Sequence, residues 1–258
     1  MDITNSTVFI AGATSGIGLG LARRFAAAGA TVVIGGRRPA PESPAPEGSA
    51  ADGGEFATVE IDVTDPDSVT RARDKVLASH PGLDVVITMS GVMLLEDLRD
   101  PAHFTAAETT VETNLLGTIR VLDAFTPHLI SRGAGTFVTV TSGIAFLPFP
   151  LMATYAASKA GVHAYSEALR AQLEGTGVEV TELVPPAVAT LPEHKKANPR
   201  ALDLDDFLDE VMGQLGQTPT PHEILVQGVL QHRWAERDGT YADLVAQRSQ
   251  TLKNLPGR

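Results

Sequence analysis

The spacing of apolar residues along this chain switches repeatedly between two periods. Residues 7–11 form a short apolar run, a glycine-rich stretch follows, and Leu19, Leu21, Ala22, Phe25 and Ala26 then recur at helical spacing. This order predicts a strand, a tight loop and a helix, with Gly29 just past the helix end. A second β-branched run at 31–34 completes a βαβ unit of about thirty residues. The same reading predicts strands at 57–61, 83–88, 135–140 and 178–184, and helices at 68–79, 105–131 and 154–174. After residue 190 the pattern is less regular: a helix at 205–215, a short strand at 223–226 and a helical tail at 232–249.

Valine- and isoleucine-rich strands that alternate with helices require crossover connections, which makes the sheet mostly parallel and covers both its faces. The expected fold class is therefore α/β, doubly wound, with residues 1–258 as one domain. Residues 39–54 break the rhythm; 7 of these 16 residues are Pro or Gly, so the segment reads as an exposed loop.

Charge and composition narrow the possible functions. The chain holds 20 Lys and Arg against 31 Asp and Glu, a net charge of −11, and no basic patch, which argues against nucleic acid as a partner. It has no cysteine, which removes disulfides, thiolate catalysis and cysteine-ligated metals and points to the reducing cytoplasm. No apolar run approaches the length of a membrane span, and the first one follows Asp2 rather than a basic cluster, so neither a membrane segment nor a signal peptide is expected. The nearest approach to a zinc motif, beginning His222-Glu223, has Val226 where a second histidine would stand, and no metal is expected. Asp203, Asp205, Asp206, Asp209 and Glu210 read as a solvated helix face.

Gly12-Ala13-Thr14-Ser15-Gly16-Ile17-Gly18 lies where the first strand gives way to the first helix. Glycines there let the backbone turn tightly and approach a pyrophosphate, and the helix start offers free amides and the positive end of its dipole. After the second strand come Gly35, Gly36, Arg37 and Arg38, with no carboxylate to hold a ribose 2′-hydroxyl. Two guanidinium groups suit a 2′-phosphate instead, so the expected cofactor is NADP(H). Asp62, ending the third predicted strand, is placed either to meet the adenine or to cap the next turn.

Tyr155 and Lys159 stand four residues apart and so share one face of a helix, where a nearby ammonium favours the phenolate and makes the phenolic proton easier to transfer. Ser142, at the end of the strand 135–140, converges on them at the strand ends where open α/β sheets bind ligands.

These residues resemble the short-chain dehydrogenase/reductase family, of the compact single-domain, Rossmann-like type, from residue 7 to about 190. Gly12, Gly16 and Gly18 match its glycine loop, and Asn114, Ser142, Tyr155 and Lys159 match its four catalytic positions. The resemblance implies that Tyr155 transfers the substrate proton, Ser142 bonds the carbonyl oxygen, Lys159 holds the nicotinamide ribose and lowers the tyrosine pKa, and Asn114 seats a water. It also implies cofactor contacts from Thr14, Ser15, Ile17, Asp62, Val63, Ser90, Gly91, Pro185, Val188 and Thr190, together with Tyr155 and Lys159. Pairing through the helices at 105–131 and 154–174 into a homodimer or homotetramer is implied as well. The chain departs from the family at Thr88-Met89, where it lacks two asparagines, and at Pro186, where it lacks a glycine.

Ser90, Val92, Met93, Ile144, Phe146, Leu147, Phe149, Met152, Ala187 and the irregular segment at about 190–222 are expected around the substrate. They are mainly apolar and carry no cation before Lys195, which points to a neutral, fairly hydrophobic ketone or secondary alcohol. Residues 146–151 are equally readable as core packing. The expected activity is that of an NADPH-dependent carbonyl reductase or alcohol dehydrogenase. The alternative is a non-catalytic NADP(H)-binding homologue; a sugar-nucleotide epimerase would need a longer chain.

Overall fold

The computed structural model describes residues 1–37 and 56–255, so Arg38 and the proline-rich segment at 39–54 lie outside the described residues. Chain order is β1 (Thr7–Ala11), α1 (Gly16–Ala28), β2 (Thr31–Gly36), β3 (Ala57–Glu60), α2 (Pro66–Ser79), β4 (Val85–Thr88), α3 (Phe104–Val111), α4 (Gly117–Arg132), β5 (Gly135–Val140), α5 (Ala153–Gln172), β6 (Val178–Val184), β7 (Val188–Ala189), α6 (Pro192–Ala197), β8 (Leu202–Asp203), α7 (Leu204–Leu215), β9 (Glu223–Leu225), α8 (Leu230–Arg233) and α9 (Tyr241–Ser249). Among the described residues, seven strands form one parallel sheet in the order β3-β2-β1-β4-β5-β6-β9, and β7 pairs with β8 apart from it.

The strand period of two divides the core between the two faces. Val8, Ile10, Ile34, Ile87 and Val138 pack on one face with Leu21 and Phe25 of α1 and Phe207 and Val211 of α7. Phe9, Val33, Val86 and Phe137 point the other way, to Val69 of α2 and Leu122 and Phe125 of α4. The chain runs outward from β1 to β3, then returns to the other side of β1 for β4. The crevice at this reversal, beyond the carboxyl ends of β1 and β4, is where such sheets bind ligands.

Two predicted helices are interrupted. The stretch 105–131 is broken by a single wide π turn at Glu112–Leu116. The tail expected at 232–249 splits into α8 and α9, with turns at 234–239 between them. The acidic residues of α7 are solvated as expected: Asp205 and Asp209 meet Arg24 at 3.1 and 2.9 Å with 85% and 71% of their side chains exposed.

Candidate active site

The glycine loop folds as its sequence requires. Gly12 has φ +98°, and a β-carbon there would stand 2.5 Å from the Ser90 backbone nitrogen, so the loops after β1 and β4 touch through bare backbone. The Gly12 and Ala13 amides donate to Gly35 O at 2.8 and 3.1 Å, and a β-carbon on Gly18 would meet Gly12 O at 2.3 Å. Ser15 makes no side-chain cap on α1, which leaves the first-turn amides available to an anion. Thr14 packs against Gly36, Gly16 faces Thr190, and Arg37 is exposed at the end of β2. This cradle of bare backbone and uncapped amides fits the pyrophosphate of a dinucleotide.

The Asp62 carboxylate accepts from Thr64 N at 2.9 Å and Thr64 Oγ1 at 2.7 Å, as the capping reading expects. The Thr64 backbone bond leads the effects that hold its pKa below the usual carboxylate value; Arg37 adds to them. The Val63 side chain is buried against Gly117, and its carbonyl accepts from Arg120. At the Thr88-Met89 departure, Thr88 Oγ1 is buried without a hydrogen-bond partner among the described residues, and the Met89 side chain lies over Gly18.

Asn114 sits in the π turn and is fully buried. Its amide accepts from Val92 N at 2.8 Å, donates to Val92 O at 2.9 Å and reaches Ser158 Oγ at 3.3 Å. The side chain thus binds the backbone after β4 as a neighbouring strand would. The wide turn that aims it inward is a common local distortion at functional sites. Gly91 lies beside both Asn114 Oδ1 and Lys159 Nζ, at 3.3 and 3.8 Å from the position of a β-carbon.

Ser142 follows β5 and is fixed by backbone: its hydroxyl donates to Pro185 O at 3.3 Å and accepts from Ile144 N at 3.4 Å. Pro186 packs against Gly228. Tyr155 and Lys159 project from one face of α5. The buried Lys159 ammonium donates to Val140 O at 2.8 Å, and burial lowers its pKa to about 8. The expected lowering of the tyrosine pKa by this lysine is not found. Burial raises the Tyr155 phenol above its ordinary value, partly offset by the Ser142 hydroxyl, while the ammonium lies 5.9 Å from the ring centroid and is turned to a carbonyl.

The wall at 143–149 is held from behind by residues that local sequence patterns do not reveal. Arg248 of α9 donates to Leu147 O and to His232 Nε2, and reaches Pro148 O at 3.4 Å. Because an arginine only donates, His232 Nδ1 carries the ring proton; it packs beside Gly143 without a partner among the described residues. Burial and Arg248 lower the His232 pKa to about 4. The Phe146 ring meets the His163 ring nearly at right angles, 4.8 Å between centroids, and the Arg233 guanidinium lies 4.5 Å from its centroid. Leu147 is 1% exposed and belongs to the core, a correction to its expected place beside the substrate.

Beneath the site, the fully buried Glu182 of β6 accepts from Thr141 Oγ1 at 2.6 Å and from His163 Nδ1 at 2.7 Å. It is one of two acids in β6, and no local pattern separates it from the exposed Glu179. His163, Glu182 and Glu223 place ligand-type atoms within 4.8 Å of one another, but His163 and Arg233 already pair with the two carboxylates. Among the described residues no helix is long and apolar enough to cross a membrane.

The sequence profile of short chain dehydrogenases matches residues 6–200. The uncharacterized oxidoreductase DltE of Bacillus subtilis is 34% identical over 191 residues, 74% of each chain. Dehydrogenase/reductase SDR family member 7B of Danio rerio is 32% identical over 195 residues, 73% of this chain and 63% of that protein. A crystal structure of a short chain dehydrogenase from Burkholderia cenocepacia in complex with NADP matches with a TM-score of 0.79 and 26% identity, over 95% of this chain and 99% of that one. With its glycine loop, parallel sheet and matching profile, the chain belongs to the short chain dehydrogenase family of oxidoreductases.

Proposed function

We propose that the protein is an NADP(H)-dependent oxidoreductase that moves hydride between nicotinamide and a neutral, fairly hydrophobic ketone or secondary alcohol. One observation carries the reading: Asn114, Ser142, Tyr155 and Lys159, from three separate elements, gather at the strand ends beside an uncapped glycine loop. The preference for NADP(H) rests on Arg37 and on the absence of a carboxylate at Gly35 and Gly36, and is supported by the NADP complex of the Burkholderia relative.

A bound nicotinamide supplies or accepts the hydride at the carbonyl carbon. In this reading Ser142 exchanges its bond to Pro185 O for one to the carbonyl oxygen, which it polarises. A Tyr155 phenol held above its ordinary pKa is protonated at neutral pH, so it gives its proton to that oxygen as negative charge develops. With a pKa of about 8, Lys159 is cationic at neutral pH and close enough to neutrality to return a proton to the site. Asn114 fixes the backbone at Val92, and Met93 and Ile144 give the substrate side its apolar character.

Fluorescence titration with NADPH and NADH, followed by reduction of a panel of neutral ketones, tests the reading. NADPH is expected to bind more tightly, and Tyr155→Phe to lower kcat by about 10²- to 10⁴-fold while leaving NADPH binding intact. Unchanged turnover in Tyr155→Phe refutes the assignment. Cofactor binding without turnover of any carbonyl favours a non-catalytic NADP(H)-binding protein, a reading to which the unpartnered Thr88 hydroxyl gives some support.

A further inference from the structure

The helix that carries Tyr155 and Lys159 has no cap of its own. Met152 stands at its N-cap without a side-chain hydrogen bond, and a thioether gives the first-turn amides no strong acceptor. The acceptor comes instead from Glu96, 58 residues earlier, in the loop that follows β4. Its carboxylate accepts from Thr154 N and Thr154 Oγ1, both at 2.7 Å, and from His103 Nδ1 at 3.2 Å. Its backbone amide donates to Leu151 O at 2.9 Å, so one residue binds both the turn before α5 and the first turn of α5.

Glu96 is only 4% exposed. A carboxylate is costly to bury unless its hydrogen bonds replace water, and the positive end of a helix is a favourable place for it. Burial opposes the charge here, but the bonds from Thr154 and His103 outweigh it and hold the carboxyl below its ordinary pKa. The same loop includes Gly91 and Val92, the latter bound by Asn114, and Met93, which is 61% exposed.

We propose that Glu96 is a positioning residue for Tyr155: by capping α5 from the loop after β4, it fixes the phenol relative to Ser142 and to the Asn114-bound backbone at Val92. Sequence pattern gives no hint of this role, because Glu96 is an ordinary acid in an irregular loop. The inference rests on the proposed role of Tyr155 in proton transfer.

Glu96→Ala and Glu96→Gln in the full chain test it. Kinetics would use NADPH and whichever neutral ketone the wild type reduces fastest, and amide hydrogen exchange over residues 153–157 would be followed on the same proteins. Glu96→Ala is expected to lower kcat by about 10- to 100-fold with KM for NADPH unchanged, and to speed exchange in the first turn of α5. Glu96→Gln keeps one carbonyl oxygen as an acceptor and is expected to recover most of kcat. Wild-type kcat and exchange in both variants, or an equal loss of kcat in both with exchange unchanged, would overturn the proposal. If Glu96→Ala does not fold, Glu96→Gln decides: a modest fall in kcat with faster exchange supports the cap, and wild-type values for both refute it. A wild type that turns over no ketone sinks the function reading and the positioning claim together, whereas an active wild type with unaffected variants sinks the positioning claim alone.

Discussion

Glu182→Gln tests whether the buried charge under the site is a true ion pair. The carboxylate is fully buried, with Thr141 Oγ1 at 2.6 Å and His163 Nδ1 at 2.7 Å. Hydrogen bonds to a charged group contribute roughly 1.5–3 kcal/mol each, and the amide keeps the shape and one acceptor, so about one such bond is lost, roughly 2–3 kcal/mol. For a chain of this length that is a fall in Tm of roughly 4–12 °C. The sign of the pH dependence follows from His163, whose pKa is raised by its bond to Glu182, with burial opposing, the Glu182 and Glu223 charges adding and Arg233 subtracting. A raised folded-state pKa stabilises fully below the unfolded value of about 6.5, and that stability is lost as pH rises through the folded value. The cost of Glu182→Gln should therefore be larger at about pH 6 than at about pH 9, where His163 has lost its charge and the ion-pair part of the contact with it. Urea unfolding of both proteins at the two pH values measures this. A cost that is absent, pH-independent or larger at high pH refutes the ion-pair account.

Lys159→Met should separate stability from activity. A lysine whose pKa burial lowers to about 8 destabilises the fold most below that pH, and the penalty fades as pH rises to the unfolded value of about 10.4. The variant is expected to melt a few degrees higher than wild type near neutral pH while losing turnover; a lower melting temperature contradicts the assignment. Arg248→Ala removes the donor to Leu147 O and His232, and should raise KM for the ketone several-fold with NADPH affinity unchanged, as steady-state kinetics and fluorescence titration would show. An unchanged KM would mean that this contact does not shape the substrate wall.

The sheet and the glycine loop were legible in the chain because both are local properties of the backbone. Strand and helix periods identify themselves within a few turns, and a glycine at φ +98° or a tyrosine and lysine four residues apart can be recognised without knowing what lies opposite. Chain order then required a parallel sheet, which brought the ends of β1, β4 and β5 to the same side. What the sequence determined by itself was therefore the fold class and, with it, the crevice where the strand order reverses.

The rest depended on contacts between segments far apart in the chain, for which no local pattern exists. The helix at 105–131 reads as continuous, yet it opens into a π turn because Asn114 pairs with the backbone at Val92. The Tyr155 pKa moves opposite to the expectation because Lys159 turns to Val140 O while burial acts on the phenol. Arg248 reaches the wall after Ser142 from about a hundred residues away, and Glu96 caps α5 from 58 residues away. A buried carboxylate or guanidinium must find its partner wherever packing puts one, so only the tertiary structure decided which polar residues support the site and which merely meet solvent.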